Sequence, residues 1–400
     1  MSGRAPIAVL IGAAWPENDA SGPVQSVRQI VARLGDGAAF ELFARSGPPQ
    51  EAPLVAHGTR VAERWGGITY LDVGTGGARG IAARLRALQP DRIWLNSMWD
   101  REFTLPVLLA RRAGRLPRCP VLLSTRGEFS PGALALHARR KRALLALLRR
   151  GGFLRGVVLH VTGPGEAADV ARSLPEARIL DADNLRSLTP LPEHVASRDG
   201  TLRLLFLGRI SPVKGLHNAL AALAQVDVPV SLAIHGPVHD RDYAARCREL
   251  ALALPAHVAI DWRGPLANRD ADAAYASADL FLNPSTSENF GHTIFESLAC
   301  GTPVLTGLHT PWNGLEADCA GYNRTSEEPR GLSMAIASFA GLSPSARLRW
   351  RAGARARAER FVASQAAEAQ WRSWLELSPE PSTGQNAELH KTPTLVQERS

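Results

Sequence analysis

The chain has 400 residues, 45% of them apolar and 21% charged, and a formal net charge of +8 carried largely by arginine. That length and apolar content suit two or three ordinary globular domains rather than a fibrous or unfolded chain. The four cysteines, Cys119, Cys247, Cys300 and Cys319, form no Cys-x-x-Cys pair, so neither a zinc site nor a disulfide framework is indicated and a reducing cytosol fits. The amino terminus runs almost directly into Ile7-Ala8-Val9-Leu10-Ile11 without a signal-peptide pattern, and no stretch reaches 18 uncharged apolar residues. Any membrane contact is therefore expected to be peripheral. The positive charge could serve anionic nucleotides, phospholipid surfaces or nucleic acid, and arginine-rich, alanine-rich usage also fits a biased genomic composition.

In chain order, apolar runs recur at 7–11, 40–43, 68–73, 92–95, 121–123 and 157–161, most of them separated by stretches of helical periodicity such as Val24 to Leu34 and Ile81 to Leu88. This alternation predicts a parallel sheet covered by helices, over residues 1–185. Residues 186–200 contain the proline-punctuated Leu188-Thr189-Pro190-Leu191-Pro192-Glu193 and read as a linker. The alternation restarts with Leu202 to Leu207, Val230 to Ile234, Val258 to Trp262, Leu280 to Asn283 and Val304 to Thr306, a second α/β unit over 201–345. From about Ser343 to Leu377 the chain is continuously helical in character, anchored by Trp350, Phe361, Trp371 and Trp374. Residues 378–400 lack core-forming side chains and are expected to be disordered.

Residues 279–306 carry the most chemistry. The run Leu280-Phe281-Leu282 stops at Asn283-Pro284 as a buried strand would, and a helix is predicted from His292 or Thr293 to Cys300, closed by Gly301. Glu288 lies in the intervening loop and Glu296 in the helix, with seven residues between them, so a hydroxyl-rich ligand could lie between the two carboxylates. The stretch Glu288-Asn289-Phe290-Gly291 through Glu296, with Ala299-Cys300-Gly301-Thr302-Pro303-Val304 after it, resembles the E-x7-E signature of the retaining glycosyltransferases of family 4. That resemblance implies the GT-B fold: two Rossmann-like domains facing each other across a cleft, with C-terminal helices (346–377) crossing back to the first domain.

A second motif, Leu205-Phe206-Leu207-Gly208-Arg209-Ile210-Ser211-Pro212-Val213-Lys214-Gly215, ends a strand and opens a helix. Such a turn sets Arg209 and Lys214 beside backbone N–H groups, an arrangement suited to a diphosphate. In the resembled family this region binds the phosphates of the sugar nucleotide. The resemblance further implies that Glu288 holds a hydroxyl of the donor sugar and Glu296 the nucleotide ribose. Phe290, Gly291 and His292 would offer backbone N–H groups, and His235 and Gly236 would lie near the same pocket.

The first domain resembles the family more loosely. Asp19-Ala20-Ser21-Gly22-Pro23-Val24-Gln25-Ser26 occupies the place of a glycine-rich loop that approaches the donor phosphates, with Gly22 and Pro23 retained and one usual glycine absent; it also reads as a simple helix start. After the strand at 92–95 stand Asn96 and Ser97, where many relatives carry a histidine. Ser124-Thr125-Arg126-Gly127-Glu128-Phe129-Ser130-Pro131-Gly132-Ala133 resembles a stretch of bacterial polysaccharide-building members and implies that Arg126 and Glu128 line the acceptor side. Leu134 to Arg150 interleaves leucines with seven basic residues, and reads either as a helix lying on an anionic bilayer or as an ordinary surface helix.

The pairs Asp181-x-Asp183 and Asp270-x-Asp272 have the D-x-D form of another transferase fold, but frequent acids explain both by chance; Gly74, Gly76, Gly77 and Gly80 miss the dinucleotide-binding register. The resemblance thus implies a metal-independent transferase using a nucleoside-diphosphate sugar and no other cofactor. The growing charge on the leaving phosphate would be met by Arg209, Lys214 and a helix dipole. The acceptor would be a lipid-linked or soluble glycan of bacterial surface polysaccharide or lipopolysaccharide assembly, the location cytoplasmic and at most peripheral to the membrane, and no nucleic-acid partner is implied. The rivals are an epimerase or phosphorylase of the same fold, for which no lysine anchoring pyridoxal phosphate is identified, and a non-catalytic sugar-nucleotide binder.

Overall fold

The computed structural model describes residues 5–16, 18, 21–135, 137–194, 200–364 and 366–376, without the side chains of 73–79. The tail at 378–400, like Asp19 and Ala20, lies outside the described residues. Eight strands make the first sheet: β1 (Ile7–Ile11), β2 (Phe40–Arg45), β3 (Arg60–Glu63), β4 (Gly66–Leu71), β5 (Arg92–Asn96), β6 (Val121–Ser124), β7 (Val157–Val161) and β8 (Arg178–Asp181), in the order β3-β4-β2-β1-β5-β6-β7-β8. β1 is buried along its whole length, because it pairs in parallel with β2 and β5 while helices cover both faces; hence its unbroken apolar run. The order reverses beside β1. The crevice beyond the carboxyl ends of β1 and β5 is where open sheets of this kind bind ligands.

The second sheet is parallel throughout: β9 (Leu202–Leu207), β10 (Val230–His235), β11 (Val258–Gly264), β12 (Leu280–Asn283), β13 (Val304–Thr306) and β14 (Gly321–Asn323), in the order β11-β10-β9-β12-β13-β14. Its reversal point falls between β9 and β12, the two strands that lead into the motifs at 208–215 and 284–291. Each sheet has an apolar core on both faces.

Three strands depart from the sequence reading. β3 runs antiparallel to β4 at the sheet edge with all four residues exposed, so no apolar run marked it. It is held by Arg60, whose Nη2 lies 2.8 Å from Glu41 Oε2 on β2. β8 and β14 are also edge strands, of four and three residues. The expected continuous terminal helix is two, Pro344–Ala363 and Ala366–Glu376. The first packs on the second domain, its Phe361 ring 5.2 Å from Trp312 and 5.5 Å from Phe290. After the break at Ser364 the second helix returns to the first domain and buries Trp371 4.9 Å from Trp94, with Trp371 Nε1 donating to the Asp183 carbonyl at 3.1 Å. This is the crossing-back that the resemblance implied. Among the described residues no helix is long and apolar enough to cross a membrane, and all four cysteines are free.

Candidate functional site

At the end of β9 the chain makes one 3-10 turn, Pro212–Lys214, and Gly215 at φ +69° passes it into the helix Leu216–Leu223. A side chain on Gly215 would place its Cβ 2.0 Å from the Pro284 carbonyl oxygen, so glycine here allows the turn to lie directly on the loop after β12. Ser285 Oγ and Thr286 N both donate to the Val213 carbonyl at 3.0 Å. The two loops are thereby fastened, and Lys214 Nζ comes to 2.5 Å from Glu288 Oε1. Both side chains are mostly covered, at 19% and 11% exposure. Arg209 stands exposed beside the same turn. Gly236 serves the neighbouring strand end: at φ +146° its Cβ would fall 1.8 Å from the Gly208 carbonyl oxygen. Next to it, His235 is buried, and that burial lowers its pKa.

The helix His292–Ala299 starts at Gly291, φ +75°, and closes at Gly301, φ +68°, whose N–H donates to the Leu298 carbonyl at 2.9 Å. Phe290 is packed away among aromatic rings, and its carbonyl accepts from Trp312 Nε1 at 2.6 Å. His292 faces the first domain. Its Nδ1 accepts from Arg186 Nη1 at 3.1 Å, which leaves the other ring nitrogen to donate to Ser26 Oγ at 2.9 Å. This neutral form agrees with a pKa held well below the usual histidine range by burial and by Arg186. Gly22 lies against the same ring, where an added Cβ would stand 3.3 Å from His292 Cδ2. Glu296 lies one turn further on with its side chain 14% exposed, where it accepts from Arg186 Nη2 at 3.0 Å and Tyr275 OH at 3.3 Å. Burial raises its pKa and Arg186 opposes the rise.

On the first-domain side, Pro23, Asn96, Ser97, Trp99, Asp100, Arg126 and Glu128 line a cavity of about 530 Å³. Asn96 Oδ1 accepts from Arg126 Nη2 at 2.5 Å, and Asn96 Nδ2 donates to the Leu10 carbonyl at 3.1 Å. Glu128 accepts from Ser97 Oγ at 2.5 Å and Met98 N at 2.7 Å; burial pushes its pKa up to about 7 and pulls that of Arg126 down to about 10. Arg126 and Gly127 both have positive φ, +55° and +74°, and a Cβ added at Gly127 would stand 3.3 Å from the Asn289 side chain of the second domain. Glu166 secures this turn by accepting from Thr125 Oγ1, Gly127 N and Thr162 N at 2.6, 2.5 and 2.8 Å.

The structure therefore joins Lys214 to Glu288, brings Gly22 to His292 and gathers Asn96, Arg126 and Glu128 in one cavity. Three participants escaped the sequence reading. Arg186 sat in the proline-punctuated linker, Glu166 carried no motif, and Gly12 shows its role only in space, where an added Cβ would lie 2.0 Å from Asp100 Oδ2. Of the D-x-D pairs, Asp181 and Asp183 sit at the end of β8, while Asp272 is taken by Thr189 Oγ1 at 3.1 Å.

The basic segment forms the helix Ala138–Arg150, in which only Leu148 is fully buried. Arg139, Arg140 and Arg142 are exposed together with Leu147, whereas Lys141 turns inward to the Ala133 carbonyl at 2.6 Å and lies 5.5 Å from the Trp99 ring centre. Arg149 is paired with Glu176 at 2.8 Å.

Residues 191–340 match the family model described as "Glycosyl transferases group 1". Over 135 residues the chain is 34% identical to alpha-monoglucosyldiacylglycerol synthase of Streptococcus pneumoniae, a match covering 33% of this chain and 30% of that protein. The chain thus spans about a third of the length of this curated relative. Sucrose-phosphate synthase from Thermosynechococcus elongatus superposes with a TM-score of 0.69 at 19% identity, over 93% of this chain and 98% of that one. HepE from Anabaena, solved in complex with UDP and glucose, gives 0.67 at 17% identity over 94% and 100%. The chain has the GT-B fold, and its residues 191–340 carry the similarity to the group 1 glycosyltransferases.

Proposed function

We propose that this protein is a retaining, metal-independent glycosyltransferase that moves a sugar from a nucleoside diphosphate to a hydroxyl acceptor in the assembly of a bacterial surface glycan. The observation that carries this reading is the contact of Lys214 with Glu288, across 74 positions of sequence. It sets a phosphate-seeking cation and a hydroxyl-seeking carboxylate side by side at the reversal point of a parallel sheet. In the reaction the bond from the anomeric carbon to the phosphate oxygen breaks, and a bond to the acceptor oxygen forms on the same face. The acceptor's proton passes to the leaving phosphate. Arg209, Lys214 and the dipole of the following helix meet the charge that grows on that phosphate. Asn96, Arg126 and Glu128 would face the acceptor.

Incubation with a panel of UDP-, GDP- and ADP-sugars, with and without glycan acceptors, is expected to release nucleoside diphosphate for one donor, and release should persist in excess EDTA. No release from any donor would favour a binding module. Activity lost on chelation and restored by Mn²⁺ or Mg²⁺ would overturn the metal-free mechanism.

A lipid-borne acceptor is supported by the exposed basic helix and by the relative named for glucosyldiacylglycerol synthesis. At about 1 kcal/mol per basic residue near an anionic surface, Arg139, Arg140 and Arg142 together should contribute roughly 3 kcal/mol. Wild type should co-sediment with anionic vesicles and release in high salt, while the triple change to Gln should stay in solution. Equal sedimentation of the two proteins would leave this helix a structural role alone.

A further inference from the structure

Leu185 is the last side chain of the linker approach to be buried in the first-domain core, and the next residue, Arg186, turns across the junction between the domains. Its side chain is only 7% exposed. One nitrogen, Nη2, donates to Glu296 Oε1 at 3.0 Å; the other, Nη1, reaches Gln25 Oε1 at 3.0 Å and His292 Nδ1 at 3.1 Å. The guanidinium carbon also stands 4.8 Å from the ring centre of Phe295. Gln25 belongs to the first-domain helix Gly22–Leu34, and the other three partners to the second-domain helix His292–Ala299. One cation thus joins the linker to both domains.

The groups facing Glu296 are Arg186 from the linker, Tyr275 and Asp272 from the helix Ala271–Ser277, His292 from the start of its own helix and Cys300 just past that helix's end. Asp272 opposes ionisation of Glu296, burial opposes it more, and His292 is neutral. Arg186 supplies the positive charge of this set. A ribose diol donates two hydrogen bonds, and a carboxylate can accept both; a protonated carboxyl has turned one oxygen into a donor.

We propose that Arg186 is a positioning residue for the donor: it keeps Glu296 an oriented carboxylate for the nucleotide ribose and, through Gln25, makes closure of the cleft and ribose binding a single event. The inference rests on the reading of Glu296 as the ribose ligand. Removing Arg186 leaves only the Tyr275 hydroxyl to oppose the burial of Glu296, so its pKa rises further. The protonated, poorly binding form then gains population as pH falls, and affinity returns as pH rises.

The test is calorimetric titration of wild type, Arg186→Gln, Arg186→Lys and Glu296→Gln with UDP, GDP and ADP at about pH 6.5, 7.5 and 8.5, expressed as the ratio of variant to wild-type Kd at each pH so that titration of the nucleotide cancels. Arg186→Gln is expected to bind about tenfold or more weakly at the lowest pH, in keeping with a charge-assisted hydrogen bond, and to approach wild type at the highest. Arg186→Lys, which keeps the cation, should hold a nearly constant ratio. Glu296→Gln should be weak at every pH. A ratio for Arg186→Gln that does not change with pH, beside a weak Glu296→Gln, overturns the role of Arg186 alone. Should Arg186→Gln fail to fold, a pH-dependent loss in Arg186→Lys does the same. Wild-type affinity in Glu296→Gln would instead overturn the ribose reading, and the inference with it.

Discussion

Glu288→Gln is expected to lower kcat by about ten- to a hundredfold or more while nucleoside diphosphate still binds. A carboxylate that holds a donor-sugar hydroxyl gains strength as positive charge develops at the anomeric carbon, and only an interaction stronger in the transition state than in the ground state accelerates the chemistry. A charge-assisted hydrogen bond of roughly 1.5–3 kcal/mol corresponds to that range. The structure adds a reason: Glu288 sits against Lys214, so the substitution also removes the carboxylate that orients the ammonium in the transition state. Glu296→Gln should behave differently, raising KM more than it lowers kcat, because the ribose does not change during reaction. Calorimetry with nucleoside diphosphate beside steady-state kinetics decides the assignment. Weakened nucleotide binding in Glu288→Gln but not in Glu296→Gln would show the two roles reversed.

Gly236→Ala should cost both stability and donor binding. Its φ of +146° is a conformation that L side chains rarely adopt, and its Cβ would lie 1.8 Å from the Gly208 carbonyl oxygen, where only backbone can give way. Strain of this kind costs on the order of 1–3 kcal/mol before any clash is added. Relief must displace the start of the Gly208–Lys214 turn, so the loss should appear in the affinity for nucleoside diphosphate as well as in Tm. Gly264→Ala is the control: φ is also positive there, at +71°, but nothing lies within 4 Å of the added carbon. It should lower Tm less and leave nucleotide affinity unchanged. Equal losses in the two variants would show that the close approach to Gly208 does not matter.

The strand, loop and helix of 279–306 are legible in sequence because each boundary has a local cause. Asn283-Pro284 ends an apolar run and Gly301 closes a helix. Two alternating series predict two parallel-sheet units, the GT-B plan is what the resemblance implies, and the fold is borne out. β3 was not legible, since a strand with neither face buried has no periodicity to show. Arg186 was not legible for a different reason: its partners lie 161, 106 and 110 positions away, and nothing in Asn184-Leu185-Arg186-Ser187 foretells that a linker side chain turns inward. Local chemistry announces elements and their ends. It does not announce which distant side chain a buried carboxylate will meet.

The returning helix Ala366–Glu376 sets an order on how the molecule can be made. Trp371 and Trp374 lie within the same apolar core as Ile7, Val9, Trp94 and Leu122, so β1 waits for a helix made after the whole second domain before its own surroundings are complete. Until that helix is made the first domain has a gap where two indoles belong, and the whole second domain is synthesised in the interval. Biogenesis therefore ties the two halves together: the step that seals the earlier-made half is also the step that sets the later-made half against it.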